Sequence, residues 1–586
     1  MKEKIMEILR GLMAQKSITN TEAEILAENW MTEYFRSLPY FQKFPERCGL
    51  FPLPDDPLRR SAVWALVTAE GVAGSGDSPM PSAAGSDAAP KSLHGKDVCG
   101  EEKQLVFPTV ILMGHHDVVS ADVYGAAADW AFDPDTITAH LDKDTLSSEA
   151  YTDLLSGEWI FGRGSCDMLG GTAVQMAVLA EEAEAILANP AKELPEVREG
   201  AGSVNQITAD APEKTATAPE NASCRPRALL FVSVPDEESF SVGMRGTLPL
   251  LETIKERFRL DYCLAVCAEP NRRIDDGKTQ VVSEGSIGKL LPVVLVQGKL
   301  VQIGSYQDGV NPLGILSRIV AATEGDENFT EEFAGERSVP PVWMYARDLK
   351  DGYDFSLPQW AAGYCNVLSF HKTPAQVMAY FLAKIKGATE NMQHPVSVMT
   401  WVTLWQQARQ HTGFVEFVQD VGIKMETMLS EHHKTFPEVT LWLMQRTLDF
   451  LQTDKPLVLL GFAPPYYPAV RSEELKGAER FAKYKKALAG WQSVRFEPYF
   501  AGVSDCSYCG IPDGKQSPVY QANTPLWGKF YQFDMAALSR LQIPFLLLGP
   551  WGKDLHQIGE RVNRYSLTKE YPDILKKLLQ FVWLSE

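Results

Sequence analysis

The fold is indicated most clearly by residues 106–119, VFPTVILMGHHDVV. The first nine residues are almost wholly apolar, which is typical of a strand buried on both faces. Sheets built from such strands are covered by helices on both sides. Because ligands lie at the carboxyl ends of these strands, the histidines and the aspartate at 115–117 are the first candidates for a functional site.

Other segments repeat this pattern. Residues 228–234 and 262–268 also predict buried strands, and residues 171–187 predict a helix. Strands that alternate with helices indicate an α/β layer fold with a largely parallel sheet. Two later apolar runs, 456–462 and 544–548, are assigned to the same main layer.

The pattern of predicted strands and helices changes near residue 285. Three strand-like runs alternate with two helical patterns within about 110 residues, which suits a small α+β module inserted into the larger domain. Two stretches rich in small and polar residues, about 71–104 and 189–226, are expected to be flexible insertions. The predicted division is 1–285 and 395–586 for the two parts of the main domain, and 286–394 for the inserted domain.

Composition narrows the class of protein. The chain has 586 residues, of which 45% are hydrophobic, and a formal net charge of -19. This composition is that of a globular protein, and the acidic balance argues against a nucleic-acid partner. No stretch of about 18 apolar residues predicts a membrane span, and the first residues lack the apolar core of a signal peptide. The expected location is the cytoplasm, where the nine cysteines would stay reduced.

Further segments place carboxylate or imidazole groups after an apolar strand or in a glycine-flanked turn. Imidazole and carboxylate with little thiolate favour a zinc-type hydrolytic centre. Two metal ions about 3.5–4 Å apart need a bridging carboxylate and two ligands each, and one further carboxylate could take the proton of a metal-bound water. Alone, each segment also suits a structural histidine pair or a solvated loop. The candidate ligands are His115, Asp167, Glu238, Glu269 and His556, and the free carboxylate is Glu237.

The order of these motifs resembles the zinc amidohydrolase and exopeptidase superfamily, which includes aminoacylase and glutamate carboxypeptidase. The motifs are Gly-His-x-Asp-Val-Val, Gly-Arg-Gly-Ser-x-Asp-Met-x-Gly-Gly, Asp-Glu-Glu-Ser, Glu-Pro and a late His. More narrowly, segments 53–58, 157–165, 285–292 and 503–508 are similar to arginine-utilisation proteins of the RocB type. The resemblance spans most of the chain. It implies a three-layer α/β/α metallopeptidase catalytic domain with an inserted small α+β, ferredoxin-like lid domain.

The resemblance also implies roles for the candidate residues. The expected cofactor is a pair of divalent metal ions, zinc by preference, with cobalt or manganese as alternatives. Glu237 resembles the general base, and Asp117 resembles the carboxylate that orients a histidine ligand. The implied ligands are His115 and Glu269 for the first metal ion, Glu238 and His556 for the second, and Asp167 as the bridge.

Four residues are expected to bind substrate. Gln302 stands where the lid of the family often carries a histidine that stabilises the oxyanion, and the loop at 502–505 is similar to the family's pocket loop. The Asp-x-Arg common on the last lid strand is missing, because residues 369–372 read Ser-Phe-His-Lys. A substrate carboxylate is therefore expected to be held differently, or not at all. The predicted substrate-binding residues are Gln302, Asn311, Ser504 and Asp505.

The leading hypothesis is a metal-dependent hydrolase that cleaves an amide or peptide bond of a small acylated amino acid or peptide. The expected partners are a small-molecule or peptide substrate and a second copy of the chain, bound through the lid domain. Because Gln302 replaces a histidine, an alternative is a metal-stabilised, non-catalytic ligand-binding protein of amino-acid metabolism. A third hypothesis is a lid-mediated homodimer that serves mainly as a scaffold.

Overall fold

The computed structural model describes residues 1–54, 56–69, 106–188, 226–430, 434–500, 502–512 and 518–586. The predicted insertions at 71–104 and 189–226 lie outside the described residues, apart from Pro226. None of the helices within these ranges is both long and apolar enough to cross a bilayer.

The helices are α1 Lys2–Met13, α2 Ala23–Ser37, α3 Pro39–Lys43, α4 Ser148–Ser156, α5 Leu169–Ala188, α6 Val242–Arg257, α7 Pro312–Thr323, α8 Pro374–Thr389, α9 Trp401–Ala408, α10 Phe414–Ser430, α11 Phe436–Phe450, α12 Ala478–Trp491, α13 Pro518–Ala522, α14 Met535–Leu541 and α15 Tyr571–Ser585. The strands are β1 Cys48–Pro52, β2 Ser61–Thr68, β3 Phe107–His115, β4 Trp159–Phe161, β5 Ala228–Val234, β6 Leu260–Cys267, β7 Arg273–Ile274, β8 Thr279–Ser283, β9 Gly285–Ser286, β10 Gly288–Gln297, β11 Glu332–Phe333, β12 Glu336–Arg337, β13 Val342–Asp348, β14 Trp360–Ser369, β15 Ser397–Thr400, β16 Leu457–Tyr467, β17 Val470–Arg471, β18 Val494–Glu497, β19 Phe545–Leu547, β20 Gly552–Lys553 and β21 Arg561–Asn563.

The main sheet has the strand order β1-β2-β5-β3-β6-β19-β8-β18, with β7 paired to β8. Its central strands β5, β3, β6 and β19 are parallel; β1 and β2 are added in antiparallel pairing on one side, and on the other β8 is antiparallel to β19 and parallel to the edge strand β18. Every residue of β5 is buried, as the uninterrupted apolar sequence predicts for a strand covered on both faces. The sheet is therefore mixed, with a parallel centre.

Helices cover the two faces of this sheet. On one face, Ile111 and Met113 of β3 line a small apolar cavity together with Met244 and Leu251 of α6. On the other face, a Cβ at Gly114 would lie 3.2 Å from Thr172 of α5, so that α5 packs closely there. Gly171 permits a similar approach, because a Cβ there would lie 2.3 Å from the carbonyl oxygen of Ala268. The predicted α/β fold with helices on both sides of the sheet is confirmed.

A second sheet has the strand order β13-β14-β10-β16-β15. Helices α7 and α8 pack on it, and so does α11, which follows the predicted lid in sequence. The prediction that residues 456–462 lie in the main layer is wrong, since β16 pairs with β10 in the second sheet. The predicted lid boundary at 394 is also too early, because β15 and β16 complete this sheet. Burial alone could not reveal this, since β16 is as thoroughly buried as a central strand of the main sheet. The homodimer stays a prediction.

Candidate metal centre

Three neighbouring strands of the main sheet end at the same edge, and acidic or imidazole side chains follow each end. β3 ends at His115, residues 236–238 follow β5, and Glu269 lies two residues beyond β6. Because β3 pairs in parallel with both β5 and β6, these ends lie side by side. Two loops add the remaining groups, with Asp167 just before α5 and His556 after β20. The topology thus brings together the residues that were predicted as ligands.

Asp167 lies between the two imidazoles. Nε2 of His115 is 3.3 Å from Asp167 Oδ1, and Nε2 of His556 is 3.1 Å from Asp167 Oδ2. On the first side, Glu269 Oε1 is 3.7 Å from Nε2 of His115. On the second side, Glu238 Oε1 is 3.1 Å from Nε2 of His556. The cluster therefore has two halves that share one carboxylate, as the motif resemblance implies.

Glu237 lies beside the first half. One of its carboxylate oxygens groups with ligand atoms of His115 and Glu269, all within 4.8 Å of one another. Burial raises the pKa of Glu237 well above its usual value. This side chain therefore takes up a proton more readily than a glutamate in water does.

The donor set fits divalent metal ions. Nε2 of His115 is buried and, within the described ranges, makes no hydrogen bond. Burial, together with the charge of Asp167, raises the pKa of Glu269 to about 8. Hydrogen bonds to Asp167 and Glu238 raise the pKa of His556 to about 10. Both shifts reflect an excess of carboxylate over cation, and nitrogen and oxygen donors of this kind suit zinc, cobalt or manganese.

Asp117 orients His115 through its main chain. The carbonyl oxygen of Asp117 is 2.8 Å from Nδ1 of His115, whereas the carboxylate oxygen Oδ1 is 3.6 Å away. The carboxylate instead accepts hydrogen bonds from the main-chain N–H groups of Glu237 (3.0 Å) and Glu238 (3.2 Å). It also accepts one from the Thr19 hydroxyl (2.8 Å). The orienting role of this carboxylate stays a prediction: it lies 3.6 Å from Nδ1 of His115, and the hydrogen bond to that nitrogen goes to the main-chain carbonyl oxygen of Asp117. The carbonyl acceptor still fixes the tautomer that leaves Nε2 free for a metal ion.

A buried group of charges, not predicted from the sequence, holds the loop before Glu237. The main-chain N–H of Asp236 donates to Glu24 Oε2 over 3.0 Å. Arg60 donates to Glu24 Oε1 over 2.8 Å and to Asp56 Oδ1 over 2.7 Å. None of these residues is more than 8% exposed. The sequence carries little signal for this group, because Glu24 stands in a helical pattern in which most glutamates face solvent.

Glu560 holds the turn that carries Asp167, and it too was missed. Its Oε1 accepts hydrogen bonds from the main-chain N–H groups of Gly164 (2.7 Å) and Asp167 (3.3 Å). Arg163 donates to Glu560 Oε2 and to the carbonyl oxygen of His556, the latter over 3.2 Å. Two features of the sequence could have pointed to this ion pair. Arg163 stands inside the Gly-Arg-Gly-Ser motif, and Glu560 follows the predicted ligand His556 by four residues.

Two predicted substrate-binding residues lie near the ligands. Asp505 is buried, and burial together with the charges of Asp117 and Asp236 raises its pKa to about 7. Ser504 is also buried, and its hydroxyl accepts a hydrogen bond from the N–H of Cys506 over 3.0 Å. Ser504 therefore caps a short 3-10 helix that presents Asp505 to the cluster.

Gln302 and Asn311 lie elsewhere, in the inserted unit. Gln302 is exposed and forms an isolated bridge with Ser356. Asn311 caps α7, with its side-chain oxygen accepting from the N–H of Leu313 over 3.1 Å. Neither makes a hydrogen bond or ion pair with the ligand cluster in the described part of the chain. Their roles in substrate binding stay predictions, and the capping role of Asn311 is a common one for asparagine before a proline.

The fold and the convergent side chains define an α/β protein with a candidate dinuclear metal centre. Two proteins of Bacillus subtilis strain 168 are similar to the chain over almost its whole length. The uncharacterized protein YqjN is 25% identical over 600 residues, which cover 98% of this chain and 95% of YqjN. RocB is 24% identical over 589 residues, which cover 96% of this chain and 92% of RocB. No protein-family model matches the chain. The predicted resemblance to RocB-type proteins is confirmed.

Several solved structures have a similar fold. A tripeptidase from Staphylococcus aureus has a TM-score of 0.47 at 10% identity and covers 100% of this chain and 99% of its own. An M20 family metallo-carboxypeptidase from Sulfolobus solfataricus has a TM-score of 0.48 at 10% identity, with 99% of both chains covered. YXEP of Bacillus subtilis, a dinuclear metal-binding peptidase of the M20 family, has the same TM-score and identity and covers 100% of this chain and 99% of its own.

Proposed function

We propose that the chain is a metal-dependent hydrolase that cleaves an amide or peptide bond of a small acylated amino acid or peptide. The observation that carries the proposal is the convergence of two imidazoles and three carboxylates around Asp167, with Glu237 adjacent to them. Purely structural ion pairs would not require so many buried carboxylates at the carboxyl edge of a parallel sheet.

The proposed ligands fall into two sets. His115 and Glu269 hold one ion, His556 and Glu238 hold the other, and Asp167 serves both. Divalent ions at such a centre polarise a substrate carbonyl and lower the pKa of a bound water. The carbonyl of Asp117 keeps His115 oriented for this role.

Glu237 is the proposed general base. Its carboxylate lies near His115 and Glu269 but is not needed to complete either ligand set. In the proposed reaction, Glu237 accepts a proton from the attacking water and then delivers it to the leaving nitrogen. Burial raises its pKa, which favours uptake of a proton from the attacking water.

The test combines metal content with turnover. Protein purified without chelator should hold about two divalent ions per chain by elemental mass spectrometry. With zinc, cobalt or manganese supplied, a panel of N-acyl amino acids and dipeptides should contain substrates. Glu237→Gln should lower kcat about 10²–10⁴-fold and leave the metal content unchanged. Glu256→Gln, at an exposed position on the following helix, is the matched control and should have full activity.

Two outcomes would contradict the proposal. Full turnover by Glu237→Gln on a confirmed substrate would show that Glu237 is not the general base. Metal content near zero after metal is supplied would show that the ligands do not act together, and the ligand-binding hypothesis would then replace the hydrolase.

A further inference from the structure

Lys289 is a half-buried lysine near the start of β10, where the second sheet leaves the main domain. Within the described residues its amino group has no carboxylate partner and no hydrogen bond. Burial lowers its pKa, as expected for an ammonium group withdrawn from water without compensation. A partly desolvated cation of this kind favours an anion from outside the chain.

The other cations around the centre already have partners. Arg60 and Arg163 are paired with buried carboxylates. Arg245 donates to the carbonyl oxygens of Phe240 and Gln532. Lys289 therefore differs from these three arginines in having an amino group that remains available.

The strand register places Lys289 beside the predicted pocket loop. Lys289 pairs with Leu368 of β14 on one side and with Tyr467 of β16 on the other. Leu368 packs in a small apolar cluster with Val503, which lies two residues before Asp505. Lys289 is thus linked to the pocket loop through its strand neighbour Leu368 and this apolar cluster.

Tyr467 connects Lys289 with the metal centre. The amino nitrogen of Lys289 is 5.9 Å from the centroid of the Tyr467 ring. At the other end of the ring, the Tyr467 hydroxyl lies 3.3 Å from the Ser241 hydroxyl. Burial raises the pKa of Tyr467 well above its usual value, and the charge of Glu237 adds to this rise. The Tyr467 side chain therefore lies between the amino group of Lys289 and Ser241, which is four residues beyond Glu237.

We propose that Lys289 binds a carboxylate of the substrate. The substrate class would then be N-acyl amino acids, or peptides, whose free carboxylate lies next to the cleaved amide, rather than their amides or esters. This proposal rests on the proposed hydrolase function, because it assigns the two ends of one substrate to Glu237 and Lys289.

The experiment compares two probes that differ only in charge, N-acetyl-leucine and N-acetyl-leucinamide, on the full-length, metal-supplied protein. Equilibrium binding is measured by calorimetry, and hydrolysis is measured separately. The wild-type protein should bind the acid at least tenfold more tightly than the amide. Lys289→Met should weaken binding of the acid about tenfold or more and change binding of the amide less than twofold. Lys289→Arg should keep most of the preference for the acid over the amide. Lys299→Met, which replaces an exposed lysine nearby in sequence, should keep all of this preference.

The two proposals fail in different ways. Equal binding of both probes by the wild-type protein, including binding of neither, would overturn the role of Lys289. Equal weakening of both probes by Lys289→Met would also overturn it, since a general loss of structure does not depend on charge. If the protein bound the acid selectively but hydrolysed no acyl amino acid, the proposed role of Lys289 would stand. The proposed hydrolase function would then be contradicted.

Discussion

The buried pair formed by Arg163 and Glu560 offers the sharpest test of how the centre is held together. Arg163 is 1% exposed and Glu560 is fully buried. Besides this pair, Arg163 donates to the carbonyl oxygens of His556 and Ser120, each over 3.2 Å. Arg163→Met keeps most of the volume of the side chain and removes its charge and all of these hydrogen bonds.

The expected loss of stability follows from Glu560, the buried partner that Arg163→Met leaves unpaired. Removing one partner of a buried pair leaves an uncompensated charge, which typically destabilises a protein by about 3–5 kcal/mol. Burial already raises the pKa of Glu560 to about 7 despite Arg163, so loss of the arginine should leave Glu560 protonated. A protonated Glu560 binds the N–H groups of Gly164 and Asp167 less well. We therefore expect the turn that carries Asp167 to loosen and metal affinity to fall along with stability.

The assay is urea unfolding of the metal-free protein, with zinc binding measured in parallel. Arg10→Met is the matched control, because Arg10 makes a comparable two-bond pair with Asp135 on the surface. Exposed pairs contribute about 0–1 kcal/mol, so this control should change the free energy of unfolding little. The double variant Arg163→Met with Glu560→Gln should recover part of the loss, since it no longer buries a lone carboxyl group. A loss under about 1 kcal/mol for Arg163→Met, or no recovery in the double variant, would refute the reasoning.

Three further predictions concern the same centre. Asp117→Asn should lower kcat about tenfold or more in steady-state assays without loss of metal, because an amide presents only one acceptor oxygen to the N–H groups of the Glu237 loop; unchanged kcat would contradict it. Glu24→Gln should lower kcat in the wild-type protein but add nothing once Glu237 is also replaced by Gln, since Glu24 acts by positioning that base; additive losses in this double-mutant cycle would contradict it. Metal binding near pH 7 should release protons, because His556 and Glu269 have pKa values raised to about 10 and about 8 and must lose protons to bind, so metal affinity should rise with pH over this range. Calorimetry in buffers of different ionisation enthalpy would show this release, and its absence would contradict the ligand set.

Three of the five candidate metal ligands could be predicted from the sequence because their positions follow from strand ends. An uninterrupted apolar run fixes where β3 ends, so that His115 must lie at the edge of the sheet. The same holds for Glu237, Glu238 and Glu269 after β5 and β6. In a parallel sheet, position along the strand determines position in space, and local pattern is therefore sufficient.

The groups that support the ligands could not be predicted in this way. Glu24 and Arg60 are charged residues in stretches whose pattern is compatible with exposure, and only the tertiary structure buries them. The substrate-binding roles of Gln302 and Asn311 stay predictions. Gln302 was assigned by its position in a family motif, and the structure shows Asn311 as the N-cap of α7.

The extent of the second sheet was hidden for another reason. Residues 457–467 form an unbroken buried strand, which suits a central strand of either sheet. Hydrophobic pattern reports how deeply a strand is buried, but it does not report which partner the strand pairs with. Pairing of β16 with β10 depends on contacts between residues more than 150 positions apart.

The carboxylates of this centre fall into two kinds, and the difference bears directly on metal binding. Asp117, Glu24 and Glu560 each accept hydrogen bonds from main-chain N–H groups of the loops that carry the ligands. In the described part of the chain, Glu237 and Glu269 accept none, although burial raises the pKa of both. The first kind is compensated by the protein and fixes the loops in place. The second kind is left for a cation or a proton to compensate, which is the condition expected of one metal ligand and one general base.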